Sequence, residues 1–448
     1  MAQRKRGNRM TKKEIFKEIR KNDIKFIDLW FSDILGSIKN VTITIDELDK
    51  ALTDGIWFDG SSVEGFGRIC ESDMFLRPDP NTFRIIPWTV EKTARFICDV
   101  YGADHKPSVV DPRGLLKRML ANLEREGMKF YVGAELEFYL FQRDGSKITP
   151  LLHDQVGYFD LGGDLALRVR KEMCEKLADF GIVVEAGHHE VGKSQHEIDL
   201  RYTDALQLAD NILTAKMVIK RIAEEHNLYA TFMPKPLFGM AGCGMHTHQS
   251  IFKNGKNIFA GPKDDYGLSE FAYHYLAGVL THIKEISAII SPIVNSYKRL
   301  VSGFEAPVYI CWGRMNRSAL VRVPQITKNR LNSTRLELRS VDPCTNPYLA
   351  FSVILSTGMD GVKKKLKPPK PVEENVYQIE TVDLKEKGID VLPRSLWEAL
   401  QFYHNSKMVK ETFGDTLFER YFEIKVREWN EYSIQVSKWE IDKYLEIY

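Results

Sequence analysis

The sequence has almost no surplus of charge. Lys and Arg number 63 against 61 Asp and Glu, so no global field points to nucleic acid or a membrane surface as a partner. It also lacks an apolar run of spanning length: the most apolar window, residues 277–294, is interrupted by His282, Lys284 and Glu285. The six cysteines (Cys70, Cys98, Cys174, Cys243, Cys311, Cys344) stand singly, with no C-x-x-C pair and no histidine at zinc-finger spacing. That argues against a disulfide framework and a structural zinc, and fits a reducing cytoplasm. There is no G-x-x-x-x-G-K-[ST] loop, so any nucleotide must be held without P-loop architecture. Repeats and low-complexity segments are absent too. The basic opening MAQRKRGNRM lacks the apolar core of a signal peptide and reads as a frayed tail or start-site extension.

What is present is a chain of 448 residues, beyond the size at which one core keeps growing, so two domains are expected. Residues 11–22 read as a helix, followed by two strands folded around Leu35-Gly36-Ser37, a Gly- and Asp-rich loop (WFDGSSVEGFGR) and the strand ARFICDVYG. The boundary falls at KPSVVDPRG, giving domains 1–108 and 109–448. There Asp111 can cap, and Pro112 start, a helix with Leu115, Leu116, Met119, Leu120 and Leu123 on one face and Gly127 past its end. A helix is expected from Asp204 to about Glu225, and a largely helical pattern from Pro347 onward. The class is α+β: a small, mostly β first domain and a second domain with an extensive sheet.

Four segments carry chemistry. In FYVGAELEFYLF (130–141), alternation puts Phe130 to Leu140 on one face of a strand and Glu135 with Glu137 on the other. An isolated E-x-E is also the pattern of a solvated outer face, but further carboxylates follow. If the turn of IVVEAGHHEV and SQHEIDLRY centres on Lys193-Ser194, Glu190 faces Glu197 across the ladder. In GMHTHQS, His246 and His248 share a strand face; in RLELR, Arg335, Glu337 and Arg339 share one. Five glutamates and a histidine on strand faces repel unless a cation lies among them, and such a set suits Mg2+ or Mn2+ better than zinc. Arg299, Arg314, Arg317, Arg322, Arg335 and Arg339 follow in a short span. Guanidinium forks beside metal suit phosphoryl transfer, although a basic strip paired with surface glutamates is the competing reading.

From about Thr11 to Tyr448 the chain resembles the type I glutamine synthetases, on FDGSSVEGF…ESDMFL, GAELEFYLF, HHEVGKSQHEI, MPKPLFGMAGCGMH, NSYKRL…GFEAP and RLELRSVDP. The resemblance implies a β-grasp domain followed by a catalytic domain with a curved, mainly antiparallel half-barrel sheet. It implies ATP-dependent synthesis of glutamine from glutamate and ammonium through γ-glutamyl phosphate, with two or more Mg2+ or Mn2+ ions per site. Glu137, Glu190 and Glu197 would hold one ion, and Glu135, His246 and Glu337 the other. Arg299, Arg339 and Gly242 match glutamate-binding positions; Arg317 and Arg322 match positions that stabilise the moving phosphoryl group. Tyr202, His248, Ser250 and Arg335 match nucleotide-site positions. Asp59, Ser62, Tyr158 and Glu305 match the ammonium site, with Asp59 as base and Glu305 on a flap that keeps water out. In the family the Asp-bearing loop comes from the neighbouring subunit of a dodecamer of two hexameric rings.

Arg68 matches an arginine of feedback-regulated members, which associate the chain with effectors or regulatory proteins of nitrogen metabolism. Tyr377 lacks the context of adenylylated members, so covalent adenylylation is not expected. Ala241-Gly242-Cys243-Gly244 departs from the Asn-Gly-Ser-Gly of many members, removing a side-chain amide near the α-amino end of glutamate. A γ-glutamyl-amine ligase would share metals and arginines but would not need the DGSS ammonium loop. A silent structural paralogue would be expected to lose metal ligands, and a two-metal hydrolase would need no ammonium pocket.

Overall fold

The computed structural model describes residues 10–66, 73–150, 157–160, 166–304, 306–316, 318–326, 330–374 and 388–448. Thr11 caps the helix Lys12–Lys21 reciprocally with Glu14, and the helix buries Ile15 and Ile19 in the core. Its neighbouring sheet contains β1 (Phe26–Ser32), β2 (Ile38–Thr44), β3 (Ile56–Asp59), β4 (Asp73–Pro78), β5 (Arg84–Ile85) and β6 (Thr93–Gly102). The order is β2-β1-β6-β4-β3, with β1 and β6 parallel and β5 paired to β6, the arrangement of a β-grasp domain.

The helix Pro112–Arg125 begins as the sequence indicates. Asp111 accepts from Arg113 N, Pro112 occupies the first turn, and Gly127 beyond the end has φ +72°. The second sheet follows: β7 (Met128–Asp144), β8 (Lys147–Pro150), β9 (Val184–His189), β10 (Gln195–Asp204), β11 (Leu228–Thr231), β12 (Met245–Lys253), β13 (Lys256–Asn257), β14 (Tyr309–Gly313), β15 (Ala319–Arg322), β16 (Leu336–Leu338) and β17 (Asp390–Val391). Its path is β17-β14-β15-β16-β12-β7-β10-β9. Within this sheet, among the described residues, only β14 and β15 pair in parallel; the sheet is a curved half-barrel. One face packs on helices Ala205–Glu225, Glu270–Ile290 and Pro347–Lys364, which bury their Ile, Leu, Val and Phe residues against Phe130, Val132, Leu136, Phe138 and Leu140. The first of these is the helix expected from Asp204 to about Glu225; Asp204 is its cap, accepting from Gln207 N.

The opposite parity of β7 is therefore free to form the wall of a cleft. No helix is long and apolar enough to cross a membrane; the window around His282 lies in the helix Glu270–Ile290, with His282 buried between Glu285 and Asp360.

The two sheets are joined at the β1–β2 turn. Gly36 has φ +87°, and a Cβ there would lie 2.9 Å from Asn346 Cα, so a side chain cannot enter. Asn346, which caps the helix Pro347–Lys364, donates from Nδ2 to Asp33 O at 3.0 Å. At the other end of the chain, Ile434, Val436, Trp439, Leu445 and Ile447 are exposed, so the apolar tail does not pack on its own domain.

Candidate active site

Register brings the acidic residues together. On β7, Glu135 stands opposite His246 of β12 and Asp199 of β10, while Glu137 stands opposite Glu197 of β10. His248 pairs with Glu337 of β16, and Glu337 with Arg322 of β15. All of these except His248 line a cavity of about 940 Å³ that also takes in Tyr158, His188, Glu190, Gly242, Arg299, Phe304 and Arg339. The E-x-E face is thus a buried, concave one: Glu137 and Glu197 are each 7% exposed and Glu337 is fully buried.

Two groups of donor atoms lie within mutual reach of one ion, Glu135–His246–Glu337 and His188–Glu190–Glu197, each within 4.8 Å. In the first, His246 Nδ1 is 2.9 Å from Glu135 Oε2 and 3.7 Å from Glu337 Oε1. Arg339 Nη1 donates to Glu337 Oε1 at 2.9 Å and Arg322 Nε to Glu337 Oε2 at 2.5 Å. Burial raises the Glu135 and Glu337 carboxyls, but His246 and His248, with Arg339 at Glu337, outweigh it and hold both below the ordinary glutamate value.

In and beside the second group, burial and like charge win. Burial, then Glu137 and Glu135, pushes the Glu197 carboxyl up to about 12; burial, then Glu190, pushes Glu137 up to about 8. Burial lowers His188 and His246, keeping both imidazoles neutral and able to ligate. Crowded carboxylates with one neutral imidazole per group fit hard divalent cations, whose charge would replace the protons these acids otherwise retain.

The register of β9 and β10 corrects one expectation. Glu197 faces His188, not Glu190, and Glu190 N donates to Gln195 O at 2.8 Å. The turn itself closes where anticipated, with Gln195 N donating to Gly192 O around Lys193 and Ser194, but Ser194 is left-handed at φ +65° and the pairs beyond it are offset by two. A shift of two keeps Glu190 on the Glu197 face, so the carboxylate survives the error and His188 joins it. His188 was recoverable from HHE by parity alone. Gln195 was also missed: it is 1% exposed, and its Nε2 donates to Glu137 Oε2 and Gly242 O, both at 3.0 Å.

The arginines divide. Arg299, Arg322 and Arg339 line the cavity, whereas Arg314 turns onto the Tyr266 ring and Asp265 O. Arg299 donates to the carbonyls of Arg339, Ser340 and Val341, and its stem lies so close to Gly242 that a Cβ there would sit 2.7 Å from Arg299 Cγ. Arg339 Nε is buried and has no partner among the described residues. A ligand anion fits it, since an unpaired buried donor is costly. Arg335 Nε donates to His248 Nδ1 at 3.1 Å, and Tyr202 lines a separate cavity of about 580 Å³ with Tyr131 and Phe252, next to Ser250 on β12.

Asp59, exposed at the end of β3, accepts from Ser61 N (2.9 Å), Ser61 Oγ (2.7 Å) and Ser62 Oγ (3.4 Å), which hold its carboxyl below the ordinary value. It does not line the cavity of its own chain. Arg68, Glu305, Arg317 and Tyr377 lie outside the described residues.

A half-barrel cleft with two carboxylate–imidazole groups beneath arginines defines an enzyme built to join anions with divalent metal. The sequence profile of the glutamine synthetase catalytic domain matches residues 109–444, and that of the glutamine synthetase β-grasp domain matches residues 23–103. The glutamine synthetase of Clostridium saccharobutylicum is 47% identical over 442 residues, covering 98% of this chain and 99% of that protein; one from Staphylococcus aureus strain Mu50 is also 47% identical, over 443 residues. Among solved structures, the Plasmodium falciparum glutamine synthetase superposes with a TM-score of 0.88 at 26% identity, covering 97% and 99% of the two chains. A GmaS/ADP complex superposes at 0.87 with 31% identity, covering 96% and 99%. The chain belongs to the glutamine synthetase family. That family is ATP-dependent and divalent-metal-dependent, and uses glutamate and ammonia.

Proposed function

We propose that the chain makes glutamine from glutamate, ammonia and ATP by way of γ-glutamyl phosphate, and so assimilates nitrogen. What supports the reading is the convergence in one cavity of two acidic donor groups with Arg322 and Arg339, the latter carrying an unpartnered buried Nε. Arg339 and Arg299 take glutamate, with Gly242 at its amino-acid end. A γ-carboxylate oxygen attacks the terminal phosphorus of ATP, ADP leaves, and Arg322 with Arg317 absorbs charge on the moving phosphoryl group. Tyr202, His248, Ser250 and Arg335 hold the nucleotide. Glu135, His246 and Glu337, and Glu190, Glu197 and Glu137 with His188, are the ligands of Mg2+ or Mn2+. Bound there, the ions would relieve the repulsion between carboxylate and phosphate.

Ammonium binds among Asp59, Ser62, Tyr158 and Glu305. Asp59 takes a proton from ammonium, ammonia attacks the acyl carbon, the acyl C–O bond to phosphate breaks, and phosphate departs with the second proton lost from nitrogen. Because Asp59 does not line its own chain's cavity, the reading places it in a neighbour's site within a homododecamer of two hexameric rings, held in part by the exposed apolar tail. The domains are 1–108 and 109–448, the compartment is the cytoplasm, and Arg68 takes part in regulation.

The test is phosphate release from ATP with magnesium, omitting glutamate and ammonium in turn while following glutamine. Glutamine in step with phosphate only when both are present is expected. Phosphate without glutamine, or acceptance of an organic amine alone, overturns the ammonium assignment in favour of a γ-glutamyl-amine ligase.

A further inference from the structure

The motif Met233-Pro234-Lys235-Pro236 precedes the Gly242 loop, and the reaction outlined above makes no use of its lysine. The Lys235 backbone is gripped from both sides by one amide: its N donates to Asn295 Oδ1 at 2.7 Å, and Asn295 Nδ2 donates to its carbonyl at 3.1 Å. Asn295 leads directly into the short helix Ser296–Arg299, so this anchor is continuous with the segment that carries Arg299.

From there the side chain reaches two walls of the cavity at once. Lys235 Nζ donates to Met240 O, and it lies 3.7 Å from the centroid of the Phe304 ring. Met240 and Phe304 both line the cavity, whereas Lys235 stands behind them and does not. Phe304 is 37% exposed and follows Gly303, which has φ +96° and open space where a side chain would stand. A cation on a ring face attracts it electrostatically, and the same charge binds the Met240 carbonyl.

We propose that Lys235 is a positioning residue that ties the Phe304 wall to the Met240–Gly242 loop and so keeps water from the acyl phosphate. The proposal rests on the γ-glutamyl phosphate reading above. With the tie cut, a water oxygen adds to the γ-acyl carbon, the acyl C–O bond to phosphate breaks, and the proton passes to solvent. The products are glutamate and inorganic phosphate, so ATP is spent without glutamine.

Phosphate and glutamine are measured together on assembled wild type, K235M, K235R, F304A and the K235M/F304A double variant, with and without ammonium. In K235M, which keeps an apolar stem but no charge, ammonium-independent phosphate release should rise about tenfold, the change that about 1.4 kcal/mol off the barrier to water attack gives. F304A, at an exposed position that does not threaten folding, should leak similarly, and the double variant no more than either single one. K235R should stay close to wild type, because a guanidinium also stacks on a ring. If K235M and F304A both keep phosphate in step with glutamine, the inference fails while the reaction reading stands. If wild type itself makes no glutamine in step with phosphate, the reading fails and takes the inference with it.

Discussion

Two clusters of buried acids use the same residue types to opposite ends. Around Arg113, at the start of the helix Pro112–Arg125, the guanidinium donates from Nε and Nη2 to Asp210 (3.0 and 2.9 Å), from Nη2 to Asp79 (2.9 Å) and from Nη1 to Asp99 (2.5 Å). Tyr348 Oη donates to Asp210 at 2.6 Å, and Lys117 pairs with Asp99. Asp79 and Asp99 belong to the β-grasp sheet region and Asp210 to the catalytic helix Ala205–Glu225, so this closed cluster rivets one domain to the other. In the cavity, Glu137, Glu190 and Glu197 converge, burial and mutual repulsion outweigh Arg299 at Glu137, and Arg339 Nε has no partner among the described residues. The first cluster has its cation in the chain. The second, on the function proposed above, is completed by bound metal, and that difference would separate a structural acid group from a ligand site.

The comparison is broken most severely at Arg113. Arg113→Met leaves three aspartates without their buried partner and should cost about 3–5 kcal/mol of stability, read by urea unfolding and unaffected by added Mn2+. A loss that Mn2+ repairs would mean that the two clusters are not different in kind.

Glu197→Gln should act oppositely. Without metal it removes a repulsion and leaves stability equal or higher; with metal it forfeits most of the gain that ligand binding gives wild type, about 2.7 kcal/mol at about 100-fold excess over Kd. Thermal unfolding with Mn2+ and with a chelator reads both arms. Equal stabilisation of wild type and variant by Mn2+ would remove Glu197 from the ligand set.

A third group sharpens the contrast, because its cation is conditional. His282 lies 2.8 Å from both Glu285 and Asp360. The Glu285 hydrogen bond, with that of Asp360, raises the imidazole above its ordinary 6.5 against the pull of burial. Burial works against the carboxyls, yet His282 and Lys364 hold Glu285 and Asp360 below their ordinary 4.5 and 3.8. The histidine's contribution is full below pH 6.5 and lost as pH rises through its raised folded value. The carboxylates' contribution is full above pH 4.5 and lost as pH falls through their lowered values. His282→Asn should therefore destabilise most between pH 4.5 and 6.5 and progressively less toward alkaline pH, by less than the arginine variant at any pH. A pH-independent difference between wild type and variant would contradict this.

What could be read in the sequence follows from the range of the interactions. Local signals held: the Asp111-Pro112 start, Gly127 beyond the stop, Asp204 ahead of its helix, and the alternation that put Glu135 with Glu137 and His246 with His248 on single faces. Parity needs only neighbours. Register depends on one backbone conformation, the left-handed Ser194, so Glu190 was set opposite Glu197 and His188 was overlooked. The rivet was invisible, because Asp79, Asp99 and Asp210 are brought to Arg113 by topology and no spacing marks them. Gln195 was missed for a like reason: a buried amide between Glu137 and Gly242 has meaning only once β7, β10 and the glycine loop are adjacent.

The central claim is that the cavity's acids await divalent cations. Counting Mn2+ bound per chain by equilibrium titration, alongside the unfolding temperature, tests it most directly. The account predicts an ion for each of the two donor groups, with a rise in unfolding temperature that a chelator reverses. Weak binding of no fixed stoichiometry, with an unfolding temperature indifferent to chelator, would contradict it.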